Sequence, residues 1–336
     1  MWSETPPQNK KTTGTINRQN TNRMTEKSIK SALKRSILPV FKIMARSQKM
    51  RDRVIVRMDG GICSQMHFYM VGDAMRRRGC RVGYDLKWFS EVGRDIDGRF
   101  VRNFDLLKAF PDLDFEEAGA MESRVLRWTS ERRNDWFGNE GWKEAETPVY
   151  MSGYYREPEE FFSEAFGRLF HIDEGVLGTR SREVLARIRD AGPRAVAIHV
   201  RRGDLAREIA AYGKPATEGY FAAAVKKVTD VCRDARFFVF SDEPEWCRTE
   251  LLPRLPQGDK MEVVDVNGSD RGYEDLILIS RCRHIVTSKG SLGRYAAMLR
   301  EGADREGIVT VCSDGPGDTE AAAWARRFPS GKLIGR

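Results

Sequence analysis

The run Arg194-Ala195-Val196-Ala197-Ile198-His199-Val200-Arg201-Arg202-Gly203-Asp204 ends an apolar stretch in one imidazole, two guanidiniums, a glycine and a carboxylate. This reads as a buried strand delivering a polar cluster to its carboxyl end, the edge where open α/β sheets bind ligands. Adjacent guanidiniums offer forked donors that match the oxygens of a phosphate or diphosphate. An anionic, nucleotide-linked ligand is implied, and an ion-paired surface loop is the plainer alternative. Three more segments share this make-up: Asp59-Gly60-Gly61-Ile62-Cys63-Ser64-Gln65, Ser241-Asp242-Glu243 and Thr287-Ser288-Lys289-Gly290-Ser291. Glycines admit a ligand close to the backbone, a helix start favours anions, and a strand-end carboxylate can accept from a base or ribose. The Gly60-Gly61 turn lacks the full G-x-G-x-x-G spacing, which disfavours a dehydrogenase or a Walker-type loop.

The elements that must carry these loops alternate. Val54 to Met58 reads as a strand, and Gln65 to Arg78 as a helix closed by Gly79. Beyond the punctuation Ala191-Gly192-Pro193, strands are expected at Ala195 to Val200, Phe237 to Phe240, Val263 to Val266, His284 to Thr287 and Ile308 to Cys312. Helices are expected between them, around Tyr220 to Cys232, Glu245 to Leu252, Tyr273 to Cys282 and Leu292 to Arg300. Regular β/α alternation predicts parallel sheets covered on both faces. The expected organisation is a basic tail over 1–50, an acceptor-side α/β domain over 51–190 and a donor-binding α/β domain over 191–336.

The net charge of +8 is unevenly spread. Met1 to Arg53 holds 13 Lys and Arg against 3 Asp and Glu, which leaves 44 against 46, a net of −2, in the rest. A near-neutral body argues against nucleic acid as a partner. Residues 1–24 are too polar to order themselves, or represent an over-extended start before Met24. Ile29, Leu33, Ile37, Phe41 and Met44 then recur at helical spacing opposite lysines and arginines. That basic amphipathic helix could make weak contact with an anionic membrane, pack on the body or remain solvated. Six scattered cysteines and four separated histidines indicate neither a disulfide framework nor a metal site, and no apolar run spans a bilayer. A cytoplasmic location is expected, with peripheral attachment to the inner face of the membrane.

The segments taken together resemble the α-1,2-fucosyltransferase family of bacterial and animal glycosyltransferases. The resemblance runs from Gly60-Gly61-x-x-x-Gln65-Met66 through Gly153-Tyr154-Tyr155-x-x-x-x-x-Phe161-Phe162 to His199-Val200-Arg201-Arg202-Gly203-Asp204. It continues with Phe240-Ser241-Asp242-x-x-x-Trp246 and Asp275-Leu276-x-Leu278-x-Ser280-x-Cys282-x-His284. It implies a GT-B-like fold of two Rossmann-like domains facing a cleft. It also implies transfer of fucose from GDP-fucose, with inversion and without a metal or other cofactor, to a sugar hydroxyl. The acceptor expected is galactose in a glycan or lipid-linked oligosaccharide of the cell surface. Two loops depart from the family: Cys63-Ser64 replaces Gly-Asn, and Lys289 to Ala296 replaces a Trp-rich motif. Arg294 stands where a Trp is usual, which suggests altered donor contacts, although a nearby fucose-transferring family has Arg at that place.

Within this reading Arg201 and Arg202 neutralise the departing diphosphate, and either could instead be a structural ion-pair partner. His199 contacts phosphate or ribose, or is a satisfied core residue. Asp204 orients the arginines or deprotonates the acceptor. Asp242 recognises guanine or ribose, or caps a helix. Ser288, Gly290 and Ser291 present hydroxyls and N–H groups to phosphate, or merely cap the next helix. Gly61 and Gln65 face the cleft from the other domain, or only shape a turn. No general base is identified. Another donor or acceptor, or a non-catalytic nucleotide-binding protein, is the alternative function.

Overall fold

The computed structural model describes residues 35–95, 98–134, 141–155, 165–203, 205–207 and 214–336. Two parallel sheets organise the chain. The first contains β1 (Arg53–Arg57), β2 (Arg81–Asp85), β3 (Glu131–Arg133) and β4 (Val149–Ser152) in the order β2-β1-β4-β3. Helix α1 (Ile62–Arg77) links β1 to β2, and α2 (Ala120–Thr129) precedes β3. Residues 54–56 of β1 are fully buried, as expected for a strand covered on both faces.

The second sheet contains β5 (Ala195–Val200), β6 (Arg236–Ser241), β7 (Glu262–Val264), β8 (His284–Val286), β9 (Val309–Ser313) and β10 (Gly331–Gly335), in the order β10-β9-β8-β5-β6-β7. This is the doubly wound Rossmann order, with its direction reversing between β5 and β8. Helices α3 (Thr179–Ala191), α4 (Glu218–Thr229), α5 (Gly272–Ser280), α6 (Leu292–Met298) and α7 (Thr319–Arg326) belong with this sheet. Because α3 packs on β5 and α5, a division at residue 190 would cut that helix from the sheet it covers. Strand β10, a largely exposed edge strand, extends the sheet beyond the last strand expected from the sequence.

The halves share apolar contacts. The Leu106–Ala109 turn packs on α5, and Phe166 meets Tyr295 edge-on with ring centroids 5.1 Å apart. They also approach through residues 98–104, where Arg99 Nη1 lies 4.0 Å from Glu243 Oε1. The result is a pair of Rossmann-like α/β halves with facing carboxyl edges, the GT-B-like arrangement that the resemblance implies.

The basic helix is described over 35–45. Phe41 is buried and lies 5.2 Å from the Trp128 ring, in a cluster with Ala45, Met50, Ile55, Leu126 and Tyr150, and Ile37 packs beside it. The apolar face expected to enter lipid is therefore spent, at these two positions, on the body. Ile29 and Leu33 lie outside the described residues.

Candidate active site

The reversal between β5 and β8 brings the arginine run against the Ser288 loop. Arg201 donates its backbone N–H to Ser288 Oγ at 2.9 Å, and Ser288 is fully buried. Gly290 follows with φ +94°, and a Cβ there would sit 2.8 Å from Arg201 Cδ. Glycine is required twice over, for the backbone conformation and for the room the Arg201 stem occupies. Ser291 starts α6, but its side chain makes no capping hydrogen bond. Ser288, Gly290 and Ser291 thus line one edge with Arg201, the first two as supports for its placement.

Pairing of β5 with β6 brings Asp242 under the same run. Its carboxylate accepts from the backbone N–H groups of Arg202 at 3.0 Å and Gly203 at 3.1 Å. Asp242 is neither the helix cap nor solely a base-recognition group; it pins the backbone from which both arginines project. The Arg202 guanidinium lies 4.4 Å above the Trp246 ring and 3.4 Å from Glu243 Oε2. Arg207 approaches the same carboxylate at 3.4 Å. Glu243 is consequently a hub for cations from three segments, a role that its place beside Asp242 in the sequence did not reveal.

His199 is 5% exposed, and burial together with Arg201 and Arg294 pushes its imidazole down to about 3. It is neutral at physiological pH, sits 3.5 Å from Ser288 Oγ, and would lie 3.0 Å from a Cβ at Gly293. Its burial agrees with the core alternative. Arg294 is also buried. It donates to Glu320 Oε1 at 2.7 Å and lies 5.4 Å over the Trp324 ring, tying α6 to α7. Asp204 lies outside the described residues.

On the opposite edge, Gln65 is buried with every amide position occupied. Its Nε2 donates to the Gly60 and Asn103 carbonyls at 3.1 and 2.8 Å, and its Oε1 accepts from Asp105 and Leu106 N–H at 2.8 and 2.9 Å. A side chain so saturated has nothing left for a ligand. Gln65 therefore does not face the cleft; it clamps residues 103–106 to the glycine turn. Gly61 is the N-cap of α1, and a Cβ there would meet Arg102 Nη1 at 3.7 Å. Arg102 lies 5.4 Å over the Phe100 ring, and that ring lies beside Gly203. Gly61 and the arginine run are thus neighbours across a thin bridge.

The reversal in the first sheet, between β1 and β4, gathers another group. Tyr154 donates to Asp59 Oδ1 at 3.2 Å and to Ser64 Oγ at 2.9 Å, while Arg57 lies 3.4 Å from Asp59 Oδ2. Burial raises Asp59 above the usual carboxylate range, against the opposing pull of Arg57, the Tyr154 hydrogen bond and His67. Among the described residues, no cluster of three or more His, Cys, Asp or Glu is arranged to hold a metal.

The pattern of glycosyl transferase family 11 matches residues 124–323. An α-1,2-colitosyltransferase of Escherichia coli is 23% identical over 74% of this chain and 87% of its own length. A galactoside 2-α-L-fucosyltransferase of Bos taurus is 25% identical over 54% of this chain and 50% of its own, so the chain spans about half of that relative. Among solved structures, the E. coli ADP-heptose LPS heptosyltransferase II superposes with a TM-score of 0.44 at 14% identity, over 84% of this chain and 90% of that one. With the family pattern covering more than half the chain, including both arginines and the loops that seat them, this protein is a glycosyltransferase and belongs to glycosyl transferase family 11.

Proposed function

We propose that the chain moves fucose from GDP-fucose to a galactose hydroxyl, forming an α-1,2 linkage with inversion, during synthesis of a surface glycan. The observation that carries this reading is the placement of Arg201 and Arg202 at the β5/β8 reversal on a backbone held by Ser288 and Asp242. As the bond from the anomeric carbon to phosphate breaks, negative charge grows on the diphosphate, and two preorganised guanidiniums oppose it without reorganisation. These charges do the work that a metal would otherwise do, so turnover is expected to survive EDTA.

The relatives' names include two sugars, fucose and colitose, both joined α-1,2. A donor screen with GDP-fucose, GDP-colitose and UDP-sugars tests the reading. Turnover with a GDP-sugar supports it, whereas preference for a UDP-sugar, or tight GDP binding without transfer to any acceptor, overturns it.

The enzyme is further proposed to act in the cytoplasm, at an anionic membrane surface that holds a lipid-linked acceptor. No helix among the described residues is long and apolar enough to cross a membrane. Val40 and Ile43 are 56% and 73% exposed beside Lys42 and Arg46, a face distinct from that of Phe41. Binding to phosphatidylserine vesicles that is lost in V40D/I43D supports this contact, and unchanged binding contradicts it.

A further inference from the structure

Transfer to a hydroxyl needs a group to take its proton. Asp204 lies outside the described residues, and the carboxylates described beside the arginine run, Asp242 and Glu243, are already engaged by backbone N–H groups and by arginines. The first sheet has its own reversal, between β1 and β4, and open sheets place reactive groups at such points. Among the described residues, Asp85, Asp105 and Asp59 lie on that edge. Asp85 accepts from Lys87 N–H at 3.0 Å and from the Tyr150 hydroxyl at 2.8 Å, and it is 7% exposed. Asp105 is equally buried and is held by Lys108 Nζ at 2.9 Å. Asp59 retains 17% of its side-chain surface, and it stands one residue before the glycine turn that adjoins Arg102 and the bridge to Gly203.

We propose that Asp59 is the catalytic base that removes the proton from the acceptor hydroxyl, with Tyr154 as its positioning residue. The assignment rests on the transferase reading above. The acceptor oxygen forms its bond to the anomeric carbon while its proton passes to an Asp59 carboxylate oxygen. The bond from the anomeric carbon to the β-phosphate oxygen breaks, and its electron pair leaves with GDP. Asp59 afterwards returns the proton to water. Arg57, Tyr154 and His67 act on the carboxylate, and Ser64 is hydrogen-bonded to Tyr154. Burial outweighs their opposing pull and holds Asp59 above the ordinary aspartate range, which strengthens it as a base near neutral pH. Gly60, with φ +72°, keeps the space clear, since a Cβ there would meet Ser64 Oγ at 2.8 Å and Tyr154 Oη at 3.1 Å.

The test uses the full chain with the GDP-sugar that the wild type turns over. D59N should lower kcat for transfer about 10²-fold or more, with GDP affinity and thermal midpoint unchanged. Azide, a nucleophile that brings no proton, should react with the donor as fast in D59N as in the wild type. Y154F keeps the carboxylate but loses a hydrogen bond that favours its charged form, so the acid limb of the kcat profile should move to higher pH. Retained transfer in D59N overturns the assignment. So does a parallel loss of GDP affinity or azide turnover, or an unmoved acid limb in Y154F should D59N not fold. A wild type inactive with every GDP-sugar defeats the transferase reading itself, whereas an active wild type with an active D59N defeats only this assignment.

Discussion

The two sheet reversals face each other and are built on opposite principles. At β5/β8 the supporting groups are spent on the backbone: Ser288 and Asp242 take N–H groups of the arginine run, which leaves the Arg202 guanidinium to be held by the Glu243 carboxylate and the face of Trp246. At β1/β4 the support is a saturated amide, Gln65, and the reactive candidate is a partly buried carboxylate. One edge concentrates positive charge for a leaving group, and the other holds a basic oxygen near the incoming one. A transfer reaction needs both, and separating them across a cleft keeps the carboxylate from neutralising the arginines that the donor must use.

Removing charge from the first edge should have the largest effect on turnover. R201A or R202A is expected to cut kcat about 10²-fold or more, roughly 3 kcal/mol, while leaving the fold intact. Lysine at either site should restore only part of this, because a point charge does not reproduce the planar fork. Steady-state kinetics with melting curves check the prediction, and near-normal transfer in both alanine variants would make the pair structural.

The Gln65 clamp on the second edge should break by unfolding instead. Q65A leaves buried backbone groups of Gly60, Asn103, Asp105 and Leu106 short of partners, at a cost of roughly 3 kcal/mol or more. Chemical denaturation should show this loss, and a variant as stable as wild type would mean that the clamp is dispensable.

Much of this contrast was legible in the chain. The second half declares itself because its strands are continuous apolar runs, punctuated by Gly192-Pro193 and ending in charge, so β5, β6, β8 and β9 fall close to their expected places. The first half is quieter. Strand β2 carries Arg81 and Gly83, and β3 is Glu131-Arg132-Arg133, patterns that do not announce a buried sheet. The roles of Gln65 and Asp242 were hidden for another reason, since each depends on partners 38 to 41 residues away that only pairing of the sheets brings near. Phe41 turned inward because Trp128 and Leu126 form a surface that periodicity within its own helix does not show.

A smaller effect concerns Asp275, in the first turn of α5. Asp275 is half-buried, accepts from Asn267 at 2.8 Å, and is pushed up to about 7, chiefly by desolvation and then by neighbouring Glu274 against the pull of Asn267 and Arg271. The folded protein keeps a proton that the unfolded chain releases near 3.8, so this group's contribution is complete below that pH and is lost as pH rises to about 7. D275N, uncharged throughout, should raise the melting temperature by a few degrees more at pH 8 than at pH 5. Equal shifts at the two pH values would show that the carboxyl is already ionised in the fold.

Whether Arg201 and Arg202 hold the donor's diphosphate is read out by calorimetric binding of GDP compared with GMP. The wild type should bind GDP at least about tenfold more tightly than GMP, a preference worth about 1.4 kcal/mol, and R201A or R202A should lose most of it while binding GMP as before. A preference that survives both substitutions would contradict the account and place the diphosphate elsewhere.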